Sequence, residues 1–260
     1  MDTMWSTPTI LTYKKGWKTL VENSLSGRVH KKIKVEGKEL SCPPLDIFSL
    51  EDMHILKMSP ERESCLSYRM NFVPMQIGGM RNLRVLLLDT NHLEEVPPEI
   101  GSLRYLQRLT LSNNSLRFLP TELAKLQNLH SVHLANNQFV TFPIVLCQLL
   151  NLNFLDLSDN GIEMIPPSIQ QLRRLNTFLL MLNFLTSLPE EFCSLTKLSC
   201  LWLGNNKLQE LPKTFGNLVM LDWGHDYCSC NIEGNPLRHP PVEVCNRGPK
   251  EIQEYLDSCK

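Results

Sequence analysis

The sequence predicts an α/β solenoid: a right-handed horseshoe with a parallel β-sheet on its concave face and 3₁₀ or short helices on its convex face. Three observations predict it. A step of 23 residues lands on Asn91, Asn114, Asn137, Asn160, Asn183 and Asn206 without a slip. The same step carries Leu88 to Leu111, Leu134, Leu157, Leu180 and Leu203. It also carries Pro97 to Pro120, Pro143, Pro166, Pro189 and Pro212. Self-similarity at a fixed period in the twenties marks stacked units, none of which can bury its apolar face alone.

Each repeated position has a physical reason. In Leu83-Arg84-Val85-Leu86-Leu87-Leu88 the leucines at 86 and 88 fall on one side of a short strand, the period-2 pattern of a half-buried face. The asparagine sits where the chain leaves the strand, with an amide able to pair backbone groups of neighbouring turns. The following segment, such as Leu119-Pro120, Leu123 and Leu126, spaces its apolar residues by three. That suits a 3₁₀ turn or short helix with one apolar edge, opened by proline.

Residues 83–220 hold six regular repeats inside a solenoid of about nine turns at 29–247. With strands about 4.8 Å apart, its inner sheet is on the order of 40 Å long. Residues 1–28 precede the repeats as an arm or cap. There Tyr13, Trp17, Leu20, Val21 and Ser24 follow helical spacing, weakened by Gly16. The segment is expected to cover the open edge of the first turn, with a basic amphipathic partner- or membrane-binding arm and plain disorder as the alternatives. From His30 the pattern is degraded: Ile33 and Val35 take strand positions, and Lys38 stands where asparagine belongs. Terminal repeats are expected to be atypical. Surplus residues fall at Pro60–Ser67 and around Met220–Asp226. The last turn carries Cys230, Ile232 and Asn235, and a Pro-initiated helix at 248–260, with Ile252, Tyr255 and Leu256 on one side, caps the end.

A chain of 260 residues has room for one such coil and its caps. A net charge of −1 gives no reason to expect nucleic acid as a partner. No apolar run reaches the roughly 20 residues of a transmembrane helix. Residues 1–28 lack the basic start and apolar stretch of a secretory signal. Nine scattered cysteines, several at apolar repeat positions (Cys147, Cys193, Cys200), behave as small hydrophobes in a reducing compartment.

The asparagine frame with L-x-x-L-x-L-x-x-N-x-L and the Leu-Pro-x-x-Ile/Leu-x-x-Leu outer segment resembles the intracellular, Ras-associated class of leucine-rich repeat proteins. That class includes the SHOC-type scaffold, the Ras suppressor and LAP-like polarity proteins. The ending Gly234-Asn235-Pro236-Leu237, Pro240-Pro241, Gly248 and Ile252–Leu256 is similar to the tail of several members. The resemblance covers about residues 30–258 and departs at Lys38. Cys228 and Cys230 precede Asn235-Pro236, unlike the disulfide-knotted cap of secreted relatives. The resemblance implies a cytoplasmic, non-catalytic protein-binding adaptor or scaffold in signal transduction. The implied partner is another protein, for instance a small GTPase or a phosphatase or kinase pathway component, with no cofactor. The alternative is a substrate-recognition subunit of a ubiquitin ligase or another multi-subunit enzyme assembly.

Function in such a coil is expected at inner-face positions free of packing duty. The outward row between the strand leucines is Leu87, Thr110, His133, Asp156, Leu179, Trp202 and Asn231, flanked by rows containing Arg108, Phe154 and Met181. A solvated strand face would be polar, so Phe154, Leu179, Met181 and Trp202 are read as partner anchors, with His133, Asp156 and Arg108 as a polar flank. The competing reading is that the N-terminal arm folds over them or that they are incidental. His133 and Asp156 on adjacent rungs, beside Ser131 and Ser158, are read as a solvated pair, since a Ser-His-Asp mechanism needs a water-poor cleft and an oxyanion site. Cys228, Cys230, His225, His239 and Cys245 lack the paired short spacings of structural zinc, and the cysteines are read as buried or free thiols.

Overall fold

The chain's computed structural model describes residues 9–14, 17–23, 29–35, 45–60, 69–221 and 230–259. It forms two compact units, residues 1–129 and 130–260. Lys38 and the two irregular stretches, past Pro60 and past Leu221, lie outside the described residues.

In the first unit, β1 (Thr9–Lys14), β2 (Trp17–Asn23) and β3 (Val29–Val35) pair antiparallel. From β3 onward, β4 (Ile55–Lys57), β5 (Val85–Leu87) and β6 (Arg108–Thr110) add in parallel. The helical spacing predicted for the N-terminal segment fails. Tyr13 lies in β1 and Trp17, Leu20 and Val21 in β2; Ser24 is outside the described residues. The physical reason is twofold. Threonine, valine and tryptophan favour strands. In addition, the outer edge of β3 offers a row of backbone donors and acceptors that a strand can pair and a helix cannot. Trp17 sits opposite Val35, Thr19 opposite Ile33 and Val21 opposite Lys31.

Outer segments return as 3₁₀ turns at Leu45–Ser49, Met75–Gly79, Pro98–Ser102 and Thr121–Lys125. Pro74, Pro97 and Pro120 precede the last three with extended backbone, and each turn closes when its terminal apolar residue donates to a carbonyl three residues back, as Leu103 N–H does to Ile100 O at 3.0 Å. The turns stack closely: a side chain at Gly101 would meet the Glu122 carbonyl at 2.6 Å, so only glycine fits. Between strands and outer turns lie Leu83, Leu86, Leu88, Leu93, Ile100 and Leu103, all fully buried. Each such side chain contributes roughly 1.5–3 kcal/mol through lost apolar exposure.

The second unit repeats the plan. Its parallel strands are β7 (Ser131–His133), β8 (Phe154–Asp156), β9 (Thr177–Leu179), β10 (Cys200–Trp202) and β11 (Cys230–Asn231). Its 3₁₀ turns are Ile144–Gln148, Pro167–Gln171, Glu190–Ser194 and Phe215–Asn217. Two helices follow, α1 (Val242–Cys245) and α2 (Pro249–Ser258). The predicted C-terminal helix is α2, opened by Pro249; the short α1 was not anticipated. Ile252 of α2 is fully buried, and the backbone at Gly216 lies so close to Gln253 that no side chain fits between them. Gln253 Nε2 also donates to Lys213 O at 3.3 Å.

The asparagines join one turn to the next within each unit. Asn160 accepts from Phe139 N–H at 3.1 Å, while its amide donates to Leu157 O in its own turn and Leu134 O in the preceding one, both at 3.1 Å. Asn183 and Asn206 repeat the pattern, and in the first unit Asn91 and Asn114 do the same. Asn235 receives Leu208 N–H and reaches Leu203 O although six surplus residues intervene. The residue before each regular ladder asparagine adopts positive φ: Thr90, Asn113, Asn136, Asp159, Leu182 and Asn205, all between 52° and 61°. Asparagine and aspartate tolerate this left-handed conformation, whereas leucine does not favour it.

Two outcomes follow for stability. Replacing Asn160 by alanine strands the buried Phe139 N–H and leaves the Leu134 and Leu157 carbonyls with only the amides of Asn137 and Asn183, and should lower the unfolding free energy by roughly 2 kcal/mol in urea titration. Leu182→Asn relieves a half-exposed side chain of left-handed strain and should raise it by about 1 kcal/mol, read as a higher Tm.

Candidate functional site

In the second unit, strand phase sorts side chains into inward and outward rows. Val132, Leu155, Phe178, Leu201 and Cys230 align across the sheet and are buried. The next position along forms the outward row His133–Asp156–Leu179–Trp202–Asn231, and the preceding one the row Ser131–Phe154–Thr177–Cys200. The structure thus brings Phe154, His133, Asp156, Leu179 and Trp202 together on one open face. Met181, two residues past Leu179, is half-buried and its carbonyl accepts Asp159 N–H at 2.8 Å. Trp202 is 37% exposed, the most open of the four apolar candidates, whereas Phe154, Leu179 and Met181 are half-buried.

The histidine is held as part of this surface. Its ring stacks on Phe154 with centroids 4.4 Å apart and an interplanar angle of 27°. Its Nε2 lies 3.0 Å from Ser131 Oγ. Asp156 accepts Ser158 N–H at 3.0 Å, a bond within its own turn. Burial pushes its carboxyl above the ordinary carboxylate range, opposed by the Ser158 hydrogen bonds. Asp156 is therefore a desolvated acid anchored to Ser158.

Arg108 is exposed on β6 of the first unit and is described with that unit. There it shares an open concavity of about 760 Å³ with Lys32, Lys57, Ile55, Val85 and Leu87. Thr110, expected to point outward, is buried, with its hydroxyl on Asp89; Asp89 also accepts Ser112 N–H at 2.8 Å.

Sequence reasoning confined exposed apolar residues to the strand face. The structure also places them on the outer turns. In the first unit Phe72, Met75 and Phe118 line a groove of about 1060 Å³; in the second, Val140, Ile144 and Met164 border a smaller one of about 410 Å³. The signal was present in the row two residues before each proline, where Phe72, Phe118 and Met164 alternate with polar residues.

Among the described residues no group of three or more histidine, cysteine or acidic side chains is arranged to hold a metal ion. His225 and Cys228 of the cluster considered above lie outside them. Cys230 is a core residue of β11. Burial pushes the Cys193 and Cys245 thiols to about 11 and about 12, so both remain protonated near neutral pH and serve packing.

Sequence comparison agrees with this geometry. Models of the leucine rich repeat match residues 81–139, 151–172 and 197–218. The fold is a leucine-rich repeat solenoid. Among solved structures the chain is similar to a plant peptide hormone receptor, RGFR1, in complex with RGF2 (27% identity, TM-score 0.62). It is also similar to the leucine-rich repeat ectodomain of the receptor kinase GASSHO1/SCHENGEN3 from Arabidopsis thaliana in complex with CASPARIAN STRIP INTEGRITY FACTOR 2 (26% identity, TM-score 0.55). Each likeness covers 78% of this chain but only 31% and 26% of those receptor chains, so this chain spans about a third or less of their length. No curated protein matches it. Leucine-rich repeat domains are generally protein-interaction modules. No helix among the described residues is long and apolar enough to cross a membrane.

The raised carboxyl of Asp156 gives a pH test. A carboxyl whose folded pKa lies above its unfolded value destabilises the fold when ionised, and that penalty fades as pH falls below the folded pKa. Asp156→Asn should therefore raise the Tm at pH 7, with the gap closing toward acid pH in thermal melts.

Proposed function

We propose that this chain is a non-catalytic adaptor or scaffold of the intracellular, Ras-associated leucine-rich repeat class, capturing another protein on the strand face of its second unit. Phe154, Leu179, Met181 and Trp202 supply the apolar anchors, and His133 and Asp156 the polar flank. Arg108 is a further contact on the strand face of the first unit. The observation that carries this reading is the run of Leu179 and Trp202 on adjacent rungs of an outward row beside Phe154. Packing inside the coil asks nothing of these positions, and an apolar cluster on an open sheet is stabilised when a partner removes it from water. Tryptophan, methionine and phenylalanine are the types concentrated at interface centres.

Two further points support the reading. Plant receptors of similar fold have been solved in complex with RGF2 and with CASPARIAN STRIP INTEGRITY FACTOR 2. Cys147, Cys193, Cys230 and Cys245 pack as buried small hydrophobes, a use suited to the reducing cytoplasm. Partners in small-GTPase, phosphatase or kinase signalling follow from the class.

Trp202→Ala combined with Leu179→Ala should cut partner recovery in quantitative affinity capture at least roughly a hundredfold, since two central anchors at about 1.5–2 kcal/mol each are removed. Far-UV circular dichroism should stay unchanged and the Tm nearly so, because neither side chain is fully buried. Undiminished capture by the double variant would place the interface elsewhere.

A further inference from the structure

The outer groove of the first unit has a chemistry of its own. Its floor is set by Val73-Pro74, Val96-Pro97-Pro98 and Leu119-Pro120, three extended segments one repeat apart. In each the valine or leucine turns inward and is buried, so the residue before it turns outward. Those outward residues are Phe72, Glu95 and Phe118: two rings with a carboxylate on the turn between them. Both rings are more than half exposed, at 55% and 58%, and Met75 at 61% extends the apolar wall. Glu99 and Glu122 line the same groove, and every charged side chain among its described lining residues is a glutamate.

The turns of a parallel stack are about 5 Å apart, which puts the two rings on the order of 10 Å apart. That gap admits one side chain touching both rings at about 4 Å. A wholly apolar side chain there would desolvate Glu95 without a partner, and an acidic one would face three carboxylates. A cation satisfies both walls and base. Its alkyl stem packs between the rings, its head is attracted to their faces, and its charge meets the carboxylate. Arginine suits the slot better than lysine, because its planar guanidinium stacks on a ring while its N–H fork binds a carboxylate.

We propose that this groove is a second docking site, separate from the strand face of the other unit, and that it takes an arginine-bearing apolar segment of a partner protein, the guanidinium seated between Phe72 and Phe118 on Glu95. The proline floor is rigid before binding, so little ordering is needed to form the site.

The probe is a set of four fluorescein-labelled nonapeptide pools, with Leu, Val, Pro and Ala at the flanking positions and Arg, Lys, Gln or Glu fixed at the centre. Anisotropy titrations use the full chain, Glu95→Gln, Glu95→Lys, the pair Phe72→Ala with Phe118→Ala, and the pair Leu179→Ala with Trp202→Ala. The Arg pool should bind at least about tenfold more tightly than the Gln pool, with Lys between them and Glu weakest. Glu95→Gln and the double phenylalanine variant should each weaken the Arg pool about tenfold or more, and Glu95→Lys should abolish its advantage over Gln. The strand-face pair should bind it as the wild type does. All altered side chains are exposed or half-buried, and melting curves matching the wild type confirm that the variants fold. Equal binding of the Arg and Gln pools overturns the proposal. So does wild-type affinity in Glu95→Lys, or loss of binding only in the strand-face pair.

Discussion

The structure depends on one requirement: backbone groups at the point where the chain leaves each strand must find partners inside the core. There the strand ladder has ended and the outer turn has not begun, and water is excluded. A single asparagine meets the need, accepting one N–H from the preceding turn and donating to carbonyls of two turns, as Asn160 and Asn183 show. An orphaned buried group would cost roughly twice what an ordinary hydrogen bond contributes. The requirement recurs in every regular turn, so it fixes the strand phase, and phase decides which residues face out. Leu182 shows how strongly it acts: a leucine is held at φ 56° so that Asn183 can occupy its place.

With phase fixed, the two kinds of outward surface differ in physical character. On the strand face of the second unit, neighbours come from adjacent strands, and groups as unlike as His133 and Phe154 stack because the register sets them side by side. The surface is broad and open, suited to a large partner. On the outer turns of the first unit the walls are single side chains standing on proline-stiffened segments, with the Glu95 carboxylate on the turn between them. That geometry recognises one side chain of one charge. The ladder asparagines and the fully buried leucines of the core rows hold both surfaces and contribute to neither.

Much of this was legible in the sequence because a solenoid writes its geometry as a period. The in-phase leucines gave the core rows, and the spaces between them gave Leu179 and Trp202 as neighbours before any coordinate was known. Contacts that do not repeat were hidden. Nothing in phase distinguishes Thr110, buried on Asp89, from Trp202 at the equivalent position, since the difference lies in side-chain size and local bonding. The outer groove is not written in the period, because the position before each Val-Pro or Leu-Pro changes type from turn to turn, Phe72 and Phe118 with Glu95 between them. A short run such as Trp17, Leu20 and Val21 fits helical spacing as well as a strand, and only the edge that β3 would otherwise leave unpaired decides between them.

That edge bears on how copies of the chain can meet. In a parallel stack, hydrogen bonds slant at even intervals, and an uncovered first strand would present the same pattern that every turn inside the coil already accepts. One molecule could then continue the coil of another, head to tail, with no rotation that closes the series, the geometry of a filament. The reversed hairpin of β1 and β2 changes the pattern to alternating narrow and wide pairs before the outside is reached. The growth rule of the repeat is broken where β2 turns against β3.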